Sequence, residues 1–250
     1  MTDIQVPVHS VVRASAWGTN WNELGITFGR IPWSKRDEVL DFMWANYFPE
    51  EPICRSLDYQ RTMSWFMDKQ FDEHIKGGLS IMATDKDGRM LGVRLAESIN
   101  KSDQSRRNFE EWFERNLNTF ACCFGKINGN MIKVSTKLVS GELQFNVWDY
   151  HDQFKVEKIL NCGALCSLKD SGIRGIGTEL VRQSEAAGIE AGCEMASAIV
   201  TGLYSGKIFK KAGYEVQKEV AYAQFKDKNG ELYLKDTREH LSCCIMTKRF

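Results

Sequence analysis

The chain has 250 residues, 43% hydrophobic and 26% charged, and its 33 Lys and Arg balance 33 Asp and Glu. A chain of this length buries most of its apolar surface without staples, which argues against wholesale disorder and fibrous repeats. The zero net charge supplies no global field toward nucleic acid or a membrane surface.

Eight cysteines, including the neighbours Cys122-Cys123 and Cys243-Cys244, lack the density and spacing of a disulfide scaffold. Four scattered histidines make no metal-ligand pattern, so no metal is expected. The N-terminus MTDIQVPVHSVV has no basic region followed by an apolar run, and no stretch of about 18 apolar residues occurs anywhere. The expected setting is cytoplasmic and reducing, with no membrane or nucleic-acid partner. No repeat or linker divides the chain, so one domain over 1–250 is expected, with 1–24 as an N-terminal extension.

In chain order, SKRDEVLDFMWANYF has Ser34 as N-cap, acids in the first turn, and Val39, Phe42, Met43 and Tyr47 at helical spacing. This helix must stop near PEEP, because a residue before proline is pushed out of the α region. LSIMATDKDGRMLGVRLAES alternates on both sides of Asp87-Gly88 and reads as a β-hairpin. RRNFEEWFERNLNTF places Phe109, Trp112, Phe113 and Phe120 on one face of an amphipathic, core-facing helix.

The apolar run ALCSL (164–168) is followed by the glycine loop SGIRGIGTEL and a helix with Leu180, Val181 and Ala187 at helical spacing. ASAIVT (196–201) leads into a short helix closed by Gly213, and VAYAQF, ELYL and SCCIMTKRF are further strand candidates. The order predicts an α/β or α+β domain with a βαβ-like unit in its later half.

Gly172, Gly175 and Gly177 permit a sharp bend, and the following helix aims unpaired N–H groups and the positive end of its dipole at the loop. A plain strand-to-helix turn and a phosphate cradle both fit. A dinucleotide fingerprint needs a glycine where Leu180 stands, and Gly177-Thr178 lacks the lysine of a P-loop.

Arg174-Gly175-Ile176-Gly177 between strand and helix, followed by Lys210-Lys211-Ala212-Gly213-Tyr214 closing the next helix, resembles the GNAT superfamily of N-acetyltransferases. PEEPI, FNVWD (145–149) and VTGLYS (200–205) narrow the resemblance to insect-type arylalkylamine N-acetyltransferases. The resemblance implies a mixed, mostly antiparallel central sheet flanked by helices, with acetyl-CoA as co-substrate and a small-molecule amine as acceptor. Leu168, Arg174, Gly175, Ile176, Gly177 and Thr178 would bind the coenzyme, and the strand over 164–168 would pair with its pantetheine arm.

A lysine-like alkylamine has a pKa of about 10.4, so its neutral form is scarce near neutral pH by roughly 3 units, or about 4 kcal/mol. The resemblance assigns the general base to Glu51, which Tyr47, Phe48, Pro49, Pro52 and Ile53 would withdraw from water. From spacing alone, Glu50-Glu51 reads as a solvated acidic turn after the helix. Ser205 and Thr201 match the serine pair of insect-type members and would assist the leaving thiol; helix capping is their other role. The tyrosine that often protonates the thiolate falls on Phe209, and the loop's usual first Gln or Arg is Gly172. Polyamine, agmatine-like or amino-acid acceptors, longer acyl-CoA donors, and a non-catalytic acyl-CoA-binding module are the alternatives. Oligomeric state is not legible.

Overall fold

The computed structural model describes residues 19–61, 65–108, 134, 137–143 and 146–250. The expected aromatic-striped helix over Phe109–Phe120, most of the 1–24 extension and Phe145 of the FNVWD motif lie outside these residues.

Among the described residues, seven strands form one sheet: β1 (Thr27–Arg30), β2 (Ile81–Thr84), β3 (Met90–Asn100), β4 (Lys158–Ser167), β5 (Met195–Val200), β6 (Glu215–Ala221) and β7 (Ser242–Arg249). Their order is β1-β2-β3-β4-β5-β7-β6. Only β4 and β5 run parallel; every other neighbouring pair is antiparallel. The mixed, mostly antiparallel sheet and the βαβ unit expected from the sequence are both present.

Helices α1 (Arg36–Asn46), α2 (Pro52–Ser56) and α3 (Trp65–Lys76) precede β2 and β3; α4 (Val147–Phe154), α5 (Ile176–Glu190) and α6 (Leu203–Lys211) come later. One sheet face takes Val39, Leu40, Met43, Phe71 and Ile75 of α1 and α3 against Val93, Leu95, Ala164 and Cys166. The other takes Leu180, Val181 and Ala187 of α5 and Phe209 of α6 against Leu160, Cys162, Ala196 and Ala198. Apolar periodicity therefore chose the buried helix faces, as burial of that surface dominates the folding energy.

Three local details depart from expectation. Lys35 N bonds to Pro32 O at 2.9 Å, drawing Ser34 into a 3-10 turn (Trp33–Lys35), so the N-cap of α1 is Lys35 and uses no side chain. VAYAQF leaves the sheet after Ala221, and Tyr222–Gln224 coil into a 3-10 turn. ELYL contributes one bridge, Lys226 to Leu232, because the Asp227 carboxylate takes the N–H groups of Asn229 and Glu231 at 2.8 and 2.9 Å and tightens the turn.

The sheet opens at one place. Leu95 of β3 faces Ala164, but Ala96 faces Cys162, so Gly163 is an extra residue in β4. Such a bulge bends its strand and resets which side chains point to which face. Leu160 and Cys162 accordingly join the core under α5, whereas Ala164 and Cys166 join the core under α1 and α3. The parallel ladder runs from Ile159–Met195 to Cys162–Ala198 and stops there. Beyond it β4 follows β3 to Ser167, and β5 follows β7 through Val200 opposite Cys244. The two middle strands part at Gly163.

Candidate functional site

A cleft occupies the gap between the parted strands. Gly163, Ala164 and Leu165 of β4 form one wall and Ile199 of β5 the other; Thr201, Ser205 and Phe209 close it, and Tyr47 and Arg94 reach it from the first half of the chain. From Gly163 onward, the edge of β4 that faces β5 has no strand partner among the described residues, so its backbone groups are free to pair with an extended ligand.

At the far end of β4, Lys169–Ser171 form a 3-10 turn and the chain enters α5 through Gly175, whose φ of 93° is the left-handed conformation that favours glycine. Glu179 N to Gly175 O, 3.0 Å, is the first bond of the helix, which leaves the amides of Ile176, Gly177 and Thr178 without intrahelical acceptors. These N–H groups and the helix dipole make an anion-binding terminus. Ile176 and Gly177 are buried, Thr178 is half-buried and Arg174 is exposed. Leu168 differs from the others. Its N–H bonds to Leu91 O at 2.8 Å and its carbonyl accepts from Ser171 Oγ at 3.0 Å, so its contribution is a half-buried side chain against the core rather than a free backbone group.

Glu50 and Glu51 divide as ion-paired outer acid and buried acid. The Glu50 carboxylate is bonded to Lys169 Nζ and, at 2.9 Å, to Arg238 Nη1, and Lys169 holds it below the usual carboxylate range. A depressed native value stabilises the fold above the ordinary pKa of 4.5 and ceases to do so as pH falls through the native value. Glu50→Gln is therefore expected to lower the melting temperature slightly near neutral pH, with the difference from wild type closing on acidification well below 4.5. Thermal melts at matched pH check this; a gap independent of pH contradicts it.

Glu51 is 7% exposed and caps α2: its Oε2 accepts from Cys54 N at 2.6 Å, and Pro52 follows at the first helical position. Its other oxygen, Oε1, is buried with no hydrogen-bond partner. Burial and then the Glu51 charge push Tyr47 and Cys54 far up, and burial pushes Tyr222 and Cys243 up with a smaller part from the same carboxylate. The carboxylate is surrounded by neutral hydroxyls and thiols. A buried carboxylate with one oxygen left unbonded is costly, which makes Glu51 a candidate for a role beyond capping.

Near the C-terminal end of β5, the Thr201 carbonyl accepts from Tyr222 Oη at 2.7 Å, and Ser205 Oγ donates to Gly202 O at 3.0 Å within the first turn of α6. The N-cap of α6 is Gly202 without a side-chain cap, and His240 fills that role: its Nδ1 accepts from Leu203 N at 3.0 Å. His240, 8% exposed, carried no local signal, because it lies 37 residues away from the helix it caps. Arg94 also went unrecognised, although a cation inside the apolar run MLGVRLA was visible. Phe209 is buried and carries no acidic group.

No family model and no curated protein sequence matches the chain. Among solved structures, arylalkylamine N-acetyltransferase 2 from Aedes aegypti superposes with a TM-score of 0.75 at 22% identity, covering 90% of this chain and 98% of that one. A Drosophila melanogaster polyamine N-acetyltransferase, which forms N-acetylagmatine, superposes at 0.69 with 16% identity, covering 90% and 100%. An agmatine N-acetyltransferase, as its S171A mutant, gives 0.72 at 16% identity with the same coverage. The chain has the fold of the amine N-acetyltransferases. Among the described residues, no group of three or more His, Cys, Asp or Glu is placed to hold a metal ion, and no helix is long and apolar enough to cross a membrane.

Proposed function

We propose that the chain is an acetyl-CoA-dependent N-acetyltransferase that transfers an acetyl group to the primary amine of a small molecule, as one catalytic domain. The observation that carries this reading is the unpaired β4 edge in the cleft; free amides start α5 after the far end of that strand, and Glu51, buried with no ion-pair partner among the described residues, adjoins the cleft residue Tyr47. The fold's solved neighbours named for arylalkylamine, agmatine and polyamine acetylation support it.

In this reading the amides from Arg174 to Thr178 hold the coenzyme diphosphate, the β4 edge beyond Gly163 aligns the pantetheine arm, and Leu168 packs beneath it. Glu51 takes the proton of the ammonium, directly or through water, and the neutral nitrogen attacks the thioester carbon across the gap. Ser205, with Thr201 behind it, turns its hydroxyl from Gly202 O toward the sulfur. Ser205→Ala is then expected to lower kcat by about tenfold with little change in KM, the scale of one hydrogen bond to a charged group. Steady-state kinetics checks this; an unchanged kcat leaves Ser205 with its helix contact alone.

The test of the function itself follows free thiol from acetyl-CoA in the presence of aromatic ethylamines, agmatine, polyamines and amino acids. Amine-dependent release with at least one of these acceptors is expected. If acetyl-CoA raises the melting temperature and no amine releases thiol, the non-catalytic acyl-CoA-binding alternative, which Phe209 favours, replaces this reading.

A further inference from the structure

Arg94 projects from β3, opposite Leu165 of β4, and is the largest of the fully buried side chains at 1% exposure. Its Nε and Nη2 are buried without hydrogen-bond partners. The guanidinium carbon sits 4.9 Å above the centre of the Phe209 ring, and both residues line the cleft with Thr201 and Ser205. Around it stand Cys162 of β4 and Tyr214 after α6, and both of these also lie near Glu185 of α5. Glu185 bonds to Lys248 Nζ of β7 at 2.7 Å, and the Tyr214 hydroxyl also lacks a partner.

A guanidinium carries five N–H donors and does not lose its proton in proteins. Leaving donors of a buried cation unmade is costly, and stacking on an aromatic ring offsets that only in part. A purely structural arginine would have its donors met by carbonyls or a carboxylate. Here unmet donors belong to a residue that lines a cleft and stacks on Phe209, a ring with no proton to give. The missing partner is then a ligand atom that gains negative charge at that point.

Resting on the acetyl-transfer reading, we propose that Arg94 is a catalytic residue that stabilises the departing coenzyme thiolate in place of a proton donor at position 209. The amine nitrogen forms its bond to the carbonyl carbon, and the carbonyl π pair moves onto oxygen. When that pair returns, the C–S bond breaks and sulfur leaves with its electron pair. Arg94 donates N–H hydrogen bonds to that sulfur and keeps its protons; Glu51 passes the ammonium's first proton to water and then takes the second from the tetrahedral nitrogen as the amide forms, and the thiolate is protonated by solvent on release. Charge stabilisation fixed in place before reaction is the larger contribution in such sites, and a cation stacked on Phe209 needs no reorganisation to supply it.

The test compares the binding of CoA and desulfo-CoA to the full chain by calorimetry across neutral to alkaline pH. A thiol of this kind has a pKa of about 8.5 when free. If Arg94 meets the thiolate, CoA gains on desulfo-CoA by about tenfold or more as pH rises toward that value, one bound-state pKa unit being a factor of ten. Thiolate absorbance then appears in the CoA complex below the free thiol's pKa, with the desulfo-CoA complex subtracting any contribution from Cys162 or Tyr214. Arg94→Gln abolishes the gain and leaves desulfo-CoA affinity unchanged. Equal binding of the two ligands to the wild-type chain at every pH overturns the role of Arg94 while leaving the acetyl-transfer reading intact; binding of neither overturns both. The wild-type comparison decides the matter even if the variant fails to fold.

Discussion

Glu51→Gln is expected to lower kcat/KM for amine acetylation by about 10²- to 10⁴-fold near neutral pH, the range for loss of a positioned general base. The loss shrinks as pH approaches the amine's own pKa of about 10.4, where the nucleophile is neutral without help. Glutamine keeps the cap, since its side-chain oxygen still accepts from Cys54 N, now at 2.6 Å from Glu51 Oε2. The variant should therefore retain its fold, whereas Glu51→Ala also loses the cap at about 0.5–2 kcal/mol. Comparing the pH–rate profiles and melting temperatures of the two variants separates catalysis from capping. A Glu51→Gln profile superimposable on wild type removes Glu51 from the chemistry and leaves it as the cap of α2.

The second large effect falls on Gly163. A Cβ built there comes within 2.3 Å of His74 Nε2 and 2.8 Å of His74 Cδ2. The imidazole has little room to withdraw, for its Nδ1 is 2.7 Å from Gln70 O and its Nε2 is 3.6 Å from the Glu97 carboxylate, itself held by Arg106 at 2.7 and 2.9 Å. Gly163→Ala should cost about 1–3 kcal/mol, the scale for overpacking a filled site, and lower the melting temperature by several degrees. It should also weaken acetyl-CoA binding, because the strands part at this residue. The cause is checked by a double-mutant cycle. Once His74→Ala has removed the ring, adding Gly163→Ala should cost little stability; an unchanged penalty means that something other than the imidazole requires glycine.

These two residues also mark how far the sequence could be read. Glu51 was picked out through a local motif, the PEEPI that carries the resemblance; spacing alone made it a solvated acidic turn, and its role as the cap of α2 was not read. Local signals also marked the β2–β3 hairpin around Asp87-Gly88 and α5, whose stripe of Leu180, Val181 and Ala187 is buried as its period required. Gly163 was not legible. The apolar run ALCSL marked only the half of β4 beyond the bulge; in KILNC the polar Lys158 and Asn161 interrupt the run, and the extra residue shifts the alternation that defines a strand face.

Arg94 and His240 illustrate a second limit. Each acts on a partner distant in sequence: Arg94 meets Phe209 across the sheet, and His240 caps α6. No spacing rule reports such pairs, because the contact exists only after β3 to β7 have assembled. Ser205 and Thr201 fall between these cases. Their position after β5 was readable, whereas the orientation of Ser205 toward Gly202 O was not.

The central claim is that the parted strands β4 and β5 seat the coenzyme, with its diphosphate on the amides of α5 and its sulfur toward Arg94 and Ser205. A crystal structure of the chain with CoA tests this most directly. The account predicts diphosphate oxygens within hydrogen-bond distance of the Ile176, Gly177 and Thr178 N–H groups, pantetheine along the β4 edge past Gly163, and sulfur in the gap beside Phe209. Coenzyme bound at any other surface, with the gap filled by side chains or water alone, would contradict it.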